Sequence, residues 1–190
     1  MSKNAALLIL VLLITCGYLQ SDQSKTYKKA LSNFKDYKTL VNEVEKHRES
    51  RLVNLEDFLI LSKNPNTIIL DARSKDKFEE IHMAGAVNLP FTDFTESNLG
   101  RLVPNKETVI LIYCNNNIED LESLFPGKTI VVSDTTGSTI PEPKLMTLAL
   151  NVPTYIHLYA YGYKNVYELD EMIRVADKST KWEGKFISGK

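Results

Sequence analysis

Residues 108–117 read Thr-Val-Ile-Leu-Ile-Tyr-Cys-Asn-Asn-Asn (TVILIYCNNN). The first part, TVILIY, is β-branched and apolar without a polar break, the pattern of a strand buried on both faces of a parallel sheet. It ends at Cys114, and three asparagines follow. Open α/β sheets place ligands beyond the carboxyl ends of their strands, which is where this cysteine falls. Ile118–Leu124 (IEDLESL) reads as the start of a helix behind the loop. A cysteine between strand end and helix start faces backbone N–H groups and a positive dipole end, both of which favour thiolate. Asparagine tolerates left-handed backbone better than other non-glycine residues, and an N–H cradle around one sulfur needs such geometry. Cys114 is therefore the candidate nucleophile, with Asn115, Asn116, Asn117, Ile118 and Glu119 as the loop around it.

Working outward, the same alternation of strand and helix recurs. Arg51-Leu52-Val53 reads as a short strand, and Asn54 offers an N-cap to a helix over Leu55–Lys63. Thr67–Leu70 (TIIL) is a buried strand, Ser74 can cap Lys75–Ile81, Ala86–Leu89 is a strand closed by Pro90, and residues 95–102 are helical. A helix carrying Tyr155 and Tyr159 precedes a last strand near Val166. The series predicts an α/β fold with a mostly parallel central sheet flanked by helices. Ahead of it, Tyr27, Leu31, Phe34, Tyr37, Leu40, Val41 and Val44 recur at helical spacing and predict an amphipathic helix from Tyr27 to about Arg51.

The N-terminus predicts export. Ala5–Thr15 (AALLILVLLIT) is an apolar run behind Lys3, shorter than the ~20 residues a bilayer span needs. It has the length of a signal-peptide core, placing a signal over residues 1–17. Leu13-Ile14-Thr15 before Cys16 resembles a lipoprotein cleavage box, with Cys16 as the lipidated residue and a membrane tether. Plain secretion with cleavage after Gly17 is the other open reading. Both place the protein in the periplasm or cell envelope. The expected division is then a tether and helix over 18–50, a domain over 51–175, and a polar tail over 176–190.

Composition narrows the function classes. The chain has 190 residues, 43% hydrophobic and 25% charged, and a formal net charge of −1 from 23 Lys+Arg against 24 Asp+Glu. That balance gives no basic footprint for nucleic acid. Two cysteines are too few for a disulfide framework, and His47, His82 and His157 lack metal-site spacing, so no metal is expected.

Four blocks in order carry a resemblance: LDARSKDKF, HMAGAVNLP, VILIYCNNN and YGYKNVYEL. They resemble the rhodanese-like domain over roughly residues 50–170. Asp71 and Arg73 fall on its D-x-R block, His82, Gly85, Ala86 and Pro90 on its H-x-x-G-A-x-x-x-P block, and Cys114 on its catalytic cysteine. Gly162-Tyr163-Lys164-Asn165-Val166 falls on its G-Y-x-N-V entry to the last strand. The resemblance implies a three-layer fold and a sulfurtransferase that carries sulfane sulfur as a persulfide on Cys114. A small sulfur donor and a thiol or protein acceptor would be its partners, with no cofactor. Charges at a strand end need partners, so Asp71 and Arg73 read as a structural charge network that fixes the loops, and His82, in a turn, reads as hydrogen-bonded to backbone.

The chain departs from the family pattern in instructive ways. The loop reads CNNNIED, with neither cation nor glycine, and Glu119 and Asp120 would oppose a neighbouring thiolate and repel a dianionic donor such as thiosulfate. Ile81 stands where many members have glycine, and Leu169-Asp170-Glu171 replaces the usual Gly-Gly. The stretch from Cys114 to Gly162 is long for the family, so residues 120–150 read as an insertion near the site, with residues 133–144 an exposed loop. A Cys-dependent phosphatase would need an arginine where Asp120 stands. A non-catalytic binding module is the remaining alternative.

Overall fold

Strands and helices alternate as the sequence predicts, and five of the strands build a main sheet with helices on both faces. The computed structural model describes residues 26–132 and 144–189, with the side chains of 131–132 and 144–146 left aside. The chain divides into two units, residues 1–33 and Phe34–Lys190. Residues 26–33 of the first form neither helix nor strand, and the second holds every element named below. The signal-peptide reading, Cys16 and the loop 133–143 lie outside the described residues.

The elements are α1 (Phe34–Glu49), β1 (Leu52–Val53), α2 (Leu55–Leu61), β2 (Thr67–Asp71), α3 (Lys75–Glu80), β3 (His82–Met83), β4 (Val87–Asn88), α4 (Glu96–Leu102), β5 (Val109–Ile112), β6 (Thr129–Val132), β7 (Lys144–Thr147), α5 (Asn151–Ala160), β8 (Val166–Leu169), β9 (Trp182–Glu183) and α6 (Lys185–Ser188). Five strands form the main sheet in the order β1-β8-β5-β2-β4, every neighbouring pair parallel. Side chains alternate across it. Leu70, Ile110, Ile112 and Val166 meet Val44 of α1, Leu99 of α4 and Tyr155, Ile156 and Leu158 of α5 on one face. Ile69, Leu111, Tyr113 and Leu169 meet Phe58 of α2, Ile81, Met83 and Trp182 on the other. The result is the α/β fold with a mostly parallel sheet expected from the strand patterns, in the three layers that the resemblance implies.

Local signals act where they were read. The Asn54 side chain accepts a hydrogen bond from the Asp57 N–H at 2.8 Å and starts α2. Ser74 stands at the N-cap of α3 without making a side-chain capping bond. Gly162, at φ 90°, ends α5 in a conformation that a side chain disfavours.

Three expectations are corrected. The first helix begins at Phe34, not Tyr27. Tyr27 and Leu31 are fully exposed, and a short helix without a packed face is marginal in water. Residues 118–124 are not helical: Ile118 bridges to Ile173 in parallel and is buried in the second core, and Leu121 takes φ 60°. Asp120 is pulled aside by the N–H groups of Val175 (2.7 Å) and Ala176 (3.1 Å). The helix that follows the cysteine strand is instead α5, after the antiparallel pair β6–β7. Finally, the expected polar tail is partly structured. β9 pairs antiparallel with β3, and Trp182 is buried edge-on to Tyr113 and Phe125. A Cβ on Gly184 would stand 2.5 Å from the Glu80 carbonyl oxygen, so glycine permits this close docking.

Candidate active site

Cys114 continues β5 in extended conformation (φ −145°, ψ −175°), and its side chain is 2% exposed. Asn115–Asn117 then form one turn of 3-10 helix, not the left-handed geometry the asparagines suggested. Among the described residues the non-glycine with positive φ is Leu121. The turn folds the chain back so that the Asn116 N–H donates to Cys114 Sγ at 3.4 Å. Backbone N–H groups of Asn151 and Leu150, at the amino end of α5, also face the sulfur. The positive helix end expected behind the cysteine is thus present, contributed by a segment far along the chain.

Asn117 is the brace of this arrangement. Its Oδ1 accepts from the Cys114 N–H (3.0 Å) and from Asn151 Nδ2 (3.1 Å), while its Nδ2 donates to the carbonyls of Leu169 (2.8 Å) and Glu171 (3.2 Å). Strand end, helix start and the exit from β8 are tied through one buried amide, leaving it no polar position free for a substrate. Asn116 Oδ1 accepts from the Lys128 N–H at 3.3 Å. Asn115 keeps a buried Oδ1 without a hydrogen-bond partner. Ile118 is buried and Glu119 exposed.

The electrostatics differ from those read in the sequence. Burial pushes the Cys114 thiol above its ordinary range, against the N–H groups of Asn151, Asn116 and Leu150, which favour thiolate, and the Glu168 charge adds to the upward push. Desolvation outweighs the cradle. Glu119 points to solvent and Asp120 is held by backbone N–H groups, so the carboxylate reaching the thiol is Glu168, one strand away. Glu168 is 5% exposed and paired with Arg48, whose Nε lies 2.5 Å from Oε2 and Nη2 2.7 Å from Oε1. The sequence carried a signal for this pair. Val166, Tyr167, Glu168 and Leu169 put a carboxylate on an interior strand face, and such a group requires a partner.

Asp71 and Arg73 occupy the opposite face. Arg73 Nη2 donates to Asp71 Oδ2 (2.6 Å) and to the Ile81 carbonyl (2.6 Å), and Nε donates to Asp71 Oδ1 (3.0 Å). Tyr113 O–H donates to Asp71 Oδ2 (2.6 Å) and accepts from the Met83 N–H (3.0 Å). Burial and then the Asp71 charge hold this phenol protonated, so it remains a donor. Phe125 stacks over the guanidinium at 4.5 Å. His82 lies against Phe78, donating from Nδ1 to the Phe78 carbonyl (2.6 Å). The structure therefore gathers Asp71, Arg73 and Tyr113 into one network and leaves His82 bound to backbone, both apart from the contacts of Cys114. Among the described residues no three potential metal ligands cluster, and no helix is long and apolar enough to cross a membrane.

The chain is 26% identical over 137 residues to a probable molybdopterin-synthase adenylyltransferase of Pyropia yezoensis, covering 62% of this chain and 35% of that protein. It is 26% identical over 82 residues to the uncharacterized protein YibN of Escherichia coli (strain K12), covering 43% of this chain and 51% of that protein. It thus spans only about a third to a half of the curated relatives it matches. A solved structure, the BH2092 protein of Bacillus halodurans, is similar at 19% identity with a TM-score of 0.48, covering 76% of this chain and 87% of that one. A family model, the Rhodanese-like domain, matches residues 54–171, which is more than half of the sequence. On that match, and with its four sequence blocks set around a parallel sheet, the chain belongs to the rhodanese-like domain family.

Proposed function

We propose that this protein carries sulfane sulfur as a persulfide on Cys114 and hands it to a thiol or another nucleophile. The carrying observation is the free cysteine at the end of β5, whose Sγ accepts the Asn116 N–H at 3.4 Å, with the backbone N–H groups of Asn151 and Leu150 also favouring its thiolate. In the first half-reaction the Cys114 thiolate attacks the outer sulfur of a donor R–S–S⁻. The new S–S bond forms on Cys114 and R–S⁻ departs with the electron pair of the broken bond. In the second, an acceptor thiolate attacks the terminal sulfur and the Cys114 thiolate leaves. The two halves balance without an external oxidant or reductant. The N–H groups stabilise whichever anion occupies the position, thiolate or terminal persulfide sulfur, in the manner of an oxyanion hole.

Burial shapes the choice of donor. A thiol 2% exposed reacts only when its cover opens, which favours a small donor or a partner that moves the loop. Export belongs to the same reading, either with Cys16 as lipid anchor or by plain secretion after Gly17, and is supported by the apolar run Ala5–Thr15.

The test is intact-mass analysis of the protein after separate exposure to thiosulfate and to a small persulfide. An adduct one sulfur atom heavier, lost in Cys114→Ser, supports the carrier reading. A folded protein with a reduced thiol and no adduct from either donor would favour a binding module, a reading the raised thiol of Cys114 also supports.

A further inference from the structure

The Arg48–Glu168 ion pair takes no part in the proposed exchange, yet the sheet sets it beside the thiol. Ile112 of β5 and Glu168 of β8 are register partners. Ile112 packs on the face that carries α1 and α5. Cys114 stands two residues further along the strand and so returns to that face, one diagonal step from Glu168. Both oxygens of the Glu168 carboxylate are closed by the Arg48 fork, whose own side chain is 28% exposed against 7% for its partner. Arg48 lies in the last turn of α1, ahead of the residues 54–171 that match the family.

Among the described residues the carboxylate hydrogen-bonded to Arg48 is Glu168, although the Asp170 charge also favours the charged form of the guanidinium. Asp120 is bound to the Val175 and Ala176 N–H groups, Glu171 accepts from the Leu55 N–H at 2.7 Å, and Glu119 and Asp170 are exposed. From α5 the sulfur meets uncharged N–H groups, and the neighbouring Tyr155 O–H is engaged with the Val166 carbonyl (3.1 Å) and His47 Nδ1 (3.0 Å).

We propose that Arg48 is a positioning residue for Cys114: by closing Glu168 into a bidentate pair, it lets negative charge form on the sulfur one strand away. The inference rests on the reading of Cys114 as a nucleophile that reacts as an anion. With Arg48 present, the Glu168 charge that reaches the thiol is partly offset by the guanidinium bound to it. Without it, the thiolate forms beside a bare carboxylate in a poorly solvated interior, where like charges repel strongly. The helix ahead of the family domain thereby controls the reactivity of the domain.

The experiment follows alkylation of Cys114 by iodoacetamide in the full chain, where sulfur bonds to the acetamide carbon and iodide leaves. Rates are taken from about pH 6 to about pH 10 and read at the Cys114 peptide, across the range in which a thiol titrates. Arg48→Gln is expected to move the profile to higher pH and slow the reaction about tenfold near pH 7, as a one-unit rise in midpoint would. Arg48→Lys restores part of the rate, since a point charge replaces the fork. Glu168→Gln moves the profile to lower pH, and Arg48→Gln with Glu168→Gln follows Glu168→Gln. An unchanged midpoint with a rate altered equally at every pH would reduce Arg48 to packing and overturn the proposal. So would a double variant as slow as Arg48→Gln alone. Should Arg48→Gln not fold, an unshifted profile in Glu168→Gln overturns it equally. Because the readout needs no sulfur donor, it is independent of whether the protein transfers sulfur.

Discussion

Tyr113 and Cys114 are adjacent in sequence, yet they serve two different polar clusters on opposite faces of the sheet. On the Tyr113 face, Asp71, Arg73 and the phenol bond to one another and to the Ile81 carbonyl and Met83 N–H, and both Asp71 oxygens are filled. On the Cys114 face, the Asn116 N–H donates to one buried sulfur, whose thiolate form is also favoured by the N–H groups of Asn151 and Leu150 and opposed by burial. A saturated network has little left to offer a ligand and is an anchor for the loops. A site where donors surround a single polarizable atom is prepared for an anion. The contrast separates a saturated polar network from an unsaturated one, which residue type alone cannot do.

The largest test breaks the anchor. Asp71→Ala leaves Arg73 buried at 3% exposure without its carboxylate and should cost about 3–5 kcal/mol in denaturant unfolding. A loss near zero would mean that Arg73 finds another partner and that the network is not an anchor.

Asn117→Ala sharpens the contrast by loosening the reactive side. It removes four hydrogen bonds' worth of bracing and should cost about 1–3 kcal/mol. Unlike Asp71→Ala, it should also speed Cys114 alkylation in the folded protein, because the turn covering the thiol loses its tie to β8 and α5. Equal alkylation in both variants would erase the distinction.

Smaller effects come from the loop carboxylates. Asp120→Ala frees two backbone N–H groups and should lower stability by about 1 kcal/mol, whereas exposed Glu119→Lys should stay within about 0.5 kcal/mol. Neither is expected to shift the pH profile of Cys114 alkylation. A shift with Glu119→Lys would restore the charge repulsion inferred from the sequence.

The smallest effect lies on α1. Burial, then Arg51 and Lys164, hold His47 below its ordinary value, so the unfolded chain takes up the proton first as pH falls. Stability from this group is complete above the ordinary histidine value and declines as pH drops below it. His47→Gln should flatten the unfolding midpoint between pH 7 and the His47 value, and an unchanged slope would assign it to other groups.

Much of this was legible in the sequence. Side-chain periodicity, the Asn54 cap and the four ordered blocks specify the strands, their mostly parallel sheet and the cysteine at a strand end, because these signals act over a few residues. The Asp71–Arg73 pair was legible too, since charges at the end of a buried strand must find partners. What the sequence misplaced was the surroundings of Cys114. Ile118–Leu124 has local helical character, but burial of Ile118 and Phe125 and capture of Asp120 by Val175 and Ala176 override it. The helix end facing the sulfur, the carboxylate pushing against it and the arginine closing that carboxylate come from α5, β8 and α1, brought together only by strand register and helix packing. The sequence by itself determined the framework and the candidate nucleophile. The tertiary structure decided the charge and burial around it, because electrostatics depends on distances that chain separation does not encode.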